Sequence, residues 1–366
     1  MRIPYTKPSI TEFEIAVVND AITNGWGENC YDYIKKFETK FSEYTGSTFS
    51  VATSSCTGAL HLGLVALNIT HGDEVIVPNT TWIASVSPIL YLGAKPVFVD
   101  ISKDDWCIDP SAIKAAITPR TKAILVVHLY GNTAQVEEII QIAREYGLYV
   151  IEGSAEALGA KIGNNSVGTL GDFGVFSFHG TKMITTGEGG MLVTNSSNIY
   201  ERVLQLNNHG RSKNNHKQFW SDMLGYKYKI SNIQAALGFA QISRAEELIT
   251  RKREIFNSYA EKLTHLDIQM NVEKISCTNS YWMPTAVFSN YDVSSRKVFS
   301  EFSKNSIEGR HTFWPISTLP FINVQVETPN SFEFSEYGIN LPSFHDITED
   351  QIVHVTNIFS RCLLNG

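Results

Sequence analysis

The segment Phe176-Ser-Phe-His-Gly-Thr-Lys-Met-Ile-Thr-Thr-Gly-Glu-Gly-Gly190 holds a single lysine, Lys182, between two apolar runs, Phe173–Phe178 and Met191–Thr194. Both runs have strand character, and the glycines of the intervening turn let backbone approach a ligand closely. A lone lysine is usually a solvated surface group. An amine held between two strands has a further use, because it condenses with an aldehyde to a Schiff base. A second signal is Ser54-Ser-Cys-Thr-Gly-Ala-Leu-His-Leu-Gly-Leu64, a small-residue turn that opens an apolar helix. Backbone N–H groups at a helix start favour a phosphate, although ordinary N-capping explains the same residues. Trp82 follows a strand-like run, where a planar ring serves either for stacking or for the core. Two carboxylates lie in Glu152-Gly-Ser-Ala-Glu-Ala-Leu-Gly159. Lys227 and Lys229 alternate with tyrosines in Gly225-Tyr-Lys-Tyr-Lys229, and Arg310 stands in Glu308-Gly-Arg-His-Thr-Phe-Trp-Pro315. As cations they suit a phosphate or diphosphate; as surface groups they need no explanation.

These residues must be held at the ends of regular elements. Val75-Ile-Val77, Pro96–Asp100, Ala123–Leu129 and Leu148–Ile151 read as strands. Helical patterns at Ala84–Tyr91 and Gln135–Tyr146 separate them. This alternation predicts a mostly parallel sheet with helices on both faces, which gathers ligands beyond the carboxyl ends of its strands. From about Ser231 the pattern changes, and Ile233–Arg253 reads as one long helix leading into a smaller α/β domain. The expected division is a large domain over 1–245 and a small C-terminal domain over 246–366.

The chain has 366 residues, 43% hydrophobic and 18% charged, with a net charge of -7. Such a composition fits a globular protein and argues against a general nucleic-acid binder, which needs a basic face. No apolar run reaches the roughly 18 residues that a membrane span requires, and Met1–Lys7 carries no apolar leader core. The five scattered cysteines contain no CxxC, so neither a disulfide framework nor a metal site is expected, and the expected location is the cytoplasm.

The Lys182 segment closely resembles the active-site stretch of the DegT/StrS-type sugar aminotransferases, a branch of the fold-type-I pyridoxal phosphate (PLP) enzymes. Further matching segments run along the chain in the family's order: Ile34–Glu38, Thr57–Leu62, Gly72–Pro78, Val127–Gly131, Gly225–Lys229 and Gly338–Ser343. The likeness is greatest to the GDP-perosamine synthase branch. The resemblance implies an aspartate aminotransferase-like α/β fold and a homodimer whose active sites are shared between subunits. It implies PLP carried on Lys182, with Cys56, Thr57 and Ser177 at the cofactor phosphate and Trp82 against its ring. It places Lys227 near the phosphate and Lys229, Arg310 and Trp26 near the substrate. His179 is read as a neighbour of the site, and Ser317 stands where relatives often have His. The implied reaction moves an amino group from L-glutamate to the 4-keto carbon of a nucleotide-linked 4-keto-6-deoxy sugar. GDP-4-keto-6-deoxymannose, used for O-antigen or other surface polysaccharide, is the specific expectation, with UDP- and dTDP-linked sugars as alternatives. A related 3-dehydratase replaces the lysine with His, so Lys182 counts against that activity.

One position departs from the pattern. The family motif Glu-Asp-x-Ala-(His/Gln/Glu)-Ala-x-Gly pairs its Asp with the cofactor's pyridine nitrogen, and Gly153 stands there in this chain. A charge-assisted hydrogen bond of this kind contributes on the order of 1.5–3 kcal/mol. Three explanations compete: an Asp-to-Gly variant, a natural departure with altered chemistry, or takeover by Glu152 or Glu156. Glu152 is a poor stand-in, because adjacent strand residues point to opposite faces. A catalytically silent PLP-binding homologue is the reading outside enzymology, and Gly153 is its support.

Overall fold

The computed structural model describes residues 2–212 and 217–365. The apolar runs form β1 (Phe49–Thr53), β2 (Glu74–Pro78), β3 (Lys95–Val99), β4 (Thr121–Val127) and β5 (Tyr149–Gly153). The short β6 (Lys161–Ile162) and β7 (Asn165–Ser166) follow, then β8 (Phe173–Ser177) and β9 (Gly190–Thr194). Seven of these make one sheet in the order β1-β9-β8-β5-β4-β2-β3. Pairings from β3 through β8 are parallel, and β9 runs antiparallel between β8 and β1. The carboxyl ends of β1, β2, β4, β5 and β8 therefore share one edge with the first residue of β9, where such sheets bind ligands.

The strands are buried on both faces, as a covered parallel sheet demands. Phe37 and Phe41 of the helix Asp32–Thr45 pack on Phe176 and Phe178, with ring centroids 5.0–5.6 Å apart. On the helix Cys56–Ala66, a Cβ at Gly63 would lie 2.2 Å from the Phe173 ring, so glycine lets this helix settle against β8.

A second sheet takes the order β10 (Gln269–Met270), β12 (Thr285–Val287), β14 (Gly338–Asn340), β13 (Arg310–His311), while β11 (Cys277–Thr278) pairs with β6. Its core joins Ile255, Tyr259, Phe288, Phe302 and Phe359, together with Ile3 from the N-terminal end.

The helix expected over Ile233–Arg253 is two helices, Asn232–Ser243 and Ala245–Lys262. Arg244, at φ -107° and ψ 10°, makes the break. No helix breaker is present; the guanidinium is anchored by Glu14 at 2.7 Å, Glu247 at 2.7 Å and Ser9 at 3.1 Å. The turn carries the chain from the first core, which holds Leu248 and Ile249, to the second, which holds Ile255 and Tyr259. The β4 strand also stops at Val127, short of Leu129, because Tyr130 adopts φ +56° within a tight turn.

Candidate active site

β8 ends at Ser177 and β9 begins at Gly190, so Lys182 sits in the hairpin between them, at the ligand-binding edge of the sheet. Its Nζ donates to Glu156 Oε1 at 3.1 Å and lies 3.9 Å from the centroid of the Trp282 ring. Both members of the ion pair are largely buried, with side chains 15% and 6% exposed. Glu156 comes from the loop after β5, and its other oxygen accepts from the backbone N–H of Tyr130 at 3.0 Å. The Tyr130 hydroxyl in turn accepts from the Phe313 N–H at 3.0 Å. Burial, with the Glu156 charge adding to it, holds the phenols of Tyr130 and Tyr5 well above the usual tyrosine range, so both stay protonated.

A cradle adjoins this pair. Ser55 caps the helix Cys56–Ala66 by accepting from Gly58 N–H at 3.0 Å, which leaves the first turn's N–H groups at the head of the helix dipole. Gly190 pairs with both Thr53 and Ser177, and a Cβ there would meet Cys56 N at 2.4 Å. Cys56 and Ser177 are thereby brought beside one another, and Thr57 follows on the same helical turn. Burial pushes the Cys56 thiol up to about 12 against the opposing Lys182 charge, so it remains a thiol. Ser154 Oγ, buried just after β5, has no hydrogen-bond partner. Trp82, after β2, is 59% exposed, and its ring lies 5.9 Å from that of Phe313.

The two carboxylates of the Glu152–Gly159 stretch have different surroundings. Glu152 is wholly buried, and its oxygens accept from His128 Nε2 at 3.0 Å, Gly168 N at 2.8 Å, and Leu170 and Gly171 N at 2.7 Å. Burial opposes its ionisation, but His128 and these N–H groups keep it below the ordinary carboxylate range. Gly153 is half-buried on the opposite face, as strand alternation requires. The carboxylate that meets Lys182 at the site edge is Glu156.

The remaining sequence candidates have no described contact with Lys182. The Arg310 guanidinium, on β13, stands 5.1 Å from the Tyr5 ring, and Tyr5 feels the charge of Glu156. Trp26 is 62% exposed and donates to Ile22 O at 2.6 Å. Lys227 is exposed on a loop that packs on its own chain, where Tyr228 reaches His61 Nδ1 at 3.1 Å. Lys229 lies 4.7 Å from the Tyr31 ring, in a cavity of about 530 Å³ that also holds Glu38 and Arg211. Neither Lys227 nor Lys229 has a described contact with Lys182. Sequence reasoning missed Tyr5, Tyr130, Trp282 and Phe313 as site walls. Tyr130 lay inside a matching segment, whereas Trp282 had no local signal.

The family profile described as the DegT/DnrJ/EryC1/StrS aminotransferase family matches residues 8–360. A GDP-perosamine synthase of Escherichia coli O157:H7 is 40% identical over 354 residues, covering 96% of each chain. One from Vibrio cholerae is 38% identical, covering 97% of each. Spr1654 of Streptococcus pneumoniae, described as a sugar aminotransferase and solved in its PLP form, superposes with a TM-score of 0.93 at 27% identity, covering 100% of this chain and 99% of that one.

Proposed function

Because the chain belongs to the DegT/DnrJ/EryC1/StrS aminotransferase family, we propose that it transfers an amino group from L-glutamate to the 4-keto carbon of GDP-4-keto-6-deoxymannose, forming GDP-perosamine. The protein is a PLP-dependent nucleotide-sugar aminotransferase of fold type I. The choice of GDP and of carbon 4 follows the activity named for its relatives. The observation that carries the chemistry is a largely buried lysine amine, paired with one carboxylate, beside a helix N-terminus at the ligand-binding edge of the sheet.

The residues present fit the cofactor. Lys182 offers the amine, and the glycine-tight cradle of Cys56, Thr57 and Ser177 offers donors for a phosphate. Trp82 offers an exposed ring face for stacking. PLP bound there supplies an aldehyde for amine exchange and a ring that withdraws electrons from the reacting carbon. Lys182 Nζ moves the proton between the carbons that exchange it. Glu156 Oε1, 3.1 Å away, orients that amine, and the Tyr130 N–H holds the carboxylate from its other side. The Trp282 and Tyr130 rings exclude water from the inner wall. Arg310 is proposed to meet the substrate's diphosphate, for which its planar fork is suited.

The proposed assembly is a homodimer. The loop carrying Lys227 and Lys229 lies against the cradle of its own chain, where Lys229 bridges Thr53 and the Tyr228 carbonyl accepts from Ser54 N–H at 2.5 Å; service of the two lysines, with Trp26, at a neighbouring subunit's site is part of this proposal. Among the described residues no helix is long and apolar enough to cross a membrane. The proposed location is the cytoplasm, and the proposed pathway is surface polysaccharide such as O-antigen.

The visible absorption spectrum of the purified protein with PLP, before and after L-glutamate, tests this reading. The yellow lysine-bound cofactor should bleach as it takes up the amino group, and GDP-4-keto-6-deoxymannose should restore the colour. Bleaching that only a UDP- or dTDP-linked keto-sugar reverses would overturn the nucleotide. A spectrum that no donor amine changes would favour the silent homologue, the reading that Gly153 supports.

A further inference from the structure

Trp282 holds Lys182 from two directions. Its ring centroid lies 3.9 Å from Lys182 Nζ, and its Nε1–H donates to the carbonyl of Thr181, the residue before the lysine, at 2.8 Å. The backbone that presents the indole is itself constrained. Tyr281, just before it, adopts φ +47°, a region costly for any residue with a Cβ. That turn is held by the Tyr281 N–H on Asn279 Oδ1 at 2.7 Å and by stacking of Tyr281 on Phe256, with centroids 3.7 Å apart and planes 5° from parallel.

The Trp282 carbonyl accepts from Lys252 Nζ at 3.1 Å. The same amine donates to Ser343 O at 2.7 Å and Ser343 Oγ at 2.9 Å. A lysine ammonium has three donors, and all three are used here on neutral oxygens. Lys252 is 8% exposed and makes no ion pair among the described residues, and burial pushes it down to about 7. A buried lysine amine without an ion-pair partner is an expensive way to fill a core. Its effect is to tie the helix Ala245–Lys262 to two segments, one carrying Trp282 and the other Ser343.

We propose that Trp282 is a positioning residue for Lys182, and that Lys252 with Ser343 sets the indole in place. The inference rests on Lys182 being the lysine that takes the cofactor. The ring face attracts the ammonium and shuts water from one side, so Lys182 Nζ is confined to the arc between Glu156 and the open edge of the sheet.

The test uses cofactor-free full-length protein. It is mixed with PLP and reduced with borohydride, and the label on the Lys182 peptide is followed over time by mass spectrometry. W282F keeps a ring face and should label within about twofold of wild type, whereas W282L should label about tenfold more slowly through loss of orientation. S343A, which removes a partner of Lys252 and has no described contact with Lys182, should slow labelling about threefold, and K252M at least as much as S343A. In glutamate kinetics W282L should lower kcat per PLP-loaded active site with KM nearly unchanged, whereas general destabilisation would lower the number of loaded sites and leave kcat per site at the wild-type value. Far-UV circular dichroism and melting curves identify variants that fold, and S343A and W282F carry the test if the others do not. Wild-type labelling rates in folded W282L overturn the positioning role. In folded S343A and K252M they overturn the part given to Lys252. An unlabelled Lys182 in the wild-type protein overturns the functional reading itself, and this inference with it.

Discussion

Among the described residues, Lys182 Nζ pairs with Glu156 at 3.1 Å and faces the Trp282 ring at 3.9 Å. On the proposed roles, K182A removes both the covalent anchor and the proton carrier, so turnover should fall at least about a thousandfold. Product formation from the keto-sugar measures it, and substantial residual turnover would refute the role. Gly153 has no positive φ, and a Cβ there would meet Val126 O at 3.3 Å and Val127 Cγ2 at 3.4 Å. Those contacts ask the Val126 carbonyl and the Val127 side chain to give by a few tenths of an ångström to admit a Cβ. G153D should raise the glutamate half-reaction rate at least about tenfold, roughly 1.4 kcal/mol of barrier. Stopped-flow absorbance reads it, and an unchanged rate would mean that Gly153 is no lesion. Strand alternation was enough to separate Glu152 from the Gly153 face. The pairing of Glu156 with Lys182 was not readable, because it joins two loops 26 residues apart.

At the scale of elements, the hairpin between β8 and β9 and the start of the helix Cys56–Ala66 are pressed together at Gly190. An alanine Cβ would lie 2.4 Å from Cys56 N and 2.5 Å from Ser55 C, both backbone atoms that cannot swing aside. G190A should therefore cost about 1–3 kcal/mol of stability, seen as a lower denaturant midpoint and weaker PLP retention on gel filtration. A wild-type midpoint would show that the cradle is looser than this packing. The Gly-rich turn was legible as a close approach, but its contact with the helix start was not. The break at Arg244 was invisible for a related reason. Its cause is an ion pair with Glu14, 230 residues away, rather than a local breaker.

The described apolar residues gather into two large cores and a small cluster of Ala157, Ala160 and Val167, and the pH response reaches beyond the active site. Glu38 lies half-buried between the helix Asp32–Thr45 and β1, accepting from Ala52 N–H at 2.9 Å. Burial pushes its carboxyl up to about 7, against the opposing pull of the Ala52 N–H and Lys229. Because the folded value exceeds the unfolded one, the native state binds the extra proton, and the stability this gives is lost as pH rises through about 7. E38Q keeps the acceptor and removes the titration. Its denaturant midpoint should gain on wild type between about pH 5 and pH 8, and parallel curves would place an ionised Glu38 in solvent. The sequence by itself determined the α/β class and the strand-end location of Lys182, since those follow from local periodicity and glycine placement, and its resemblance to a known family implied the cofactor. Only the tertiary structure decided which carboxylate faces Lys182, which indole covers it and where the long helix breaks. Each of those depends on contacts between residues far apart in the chain, and local pattern carries no record of them.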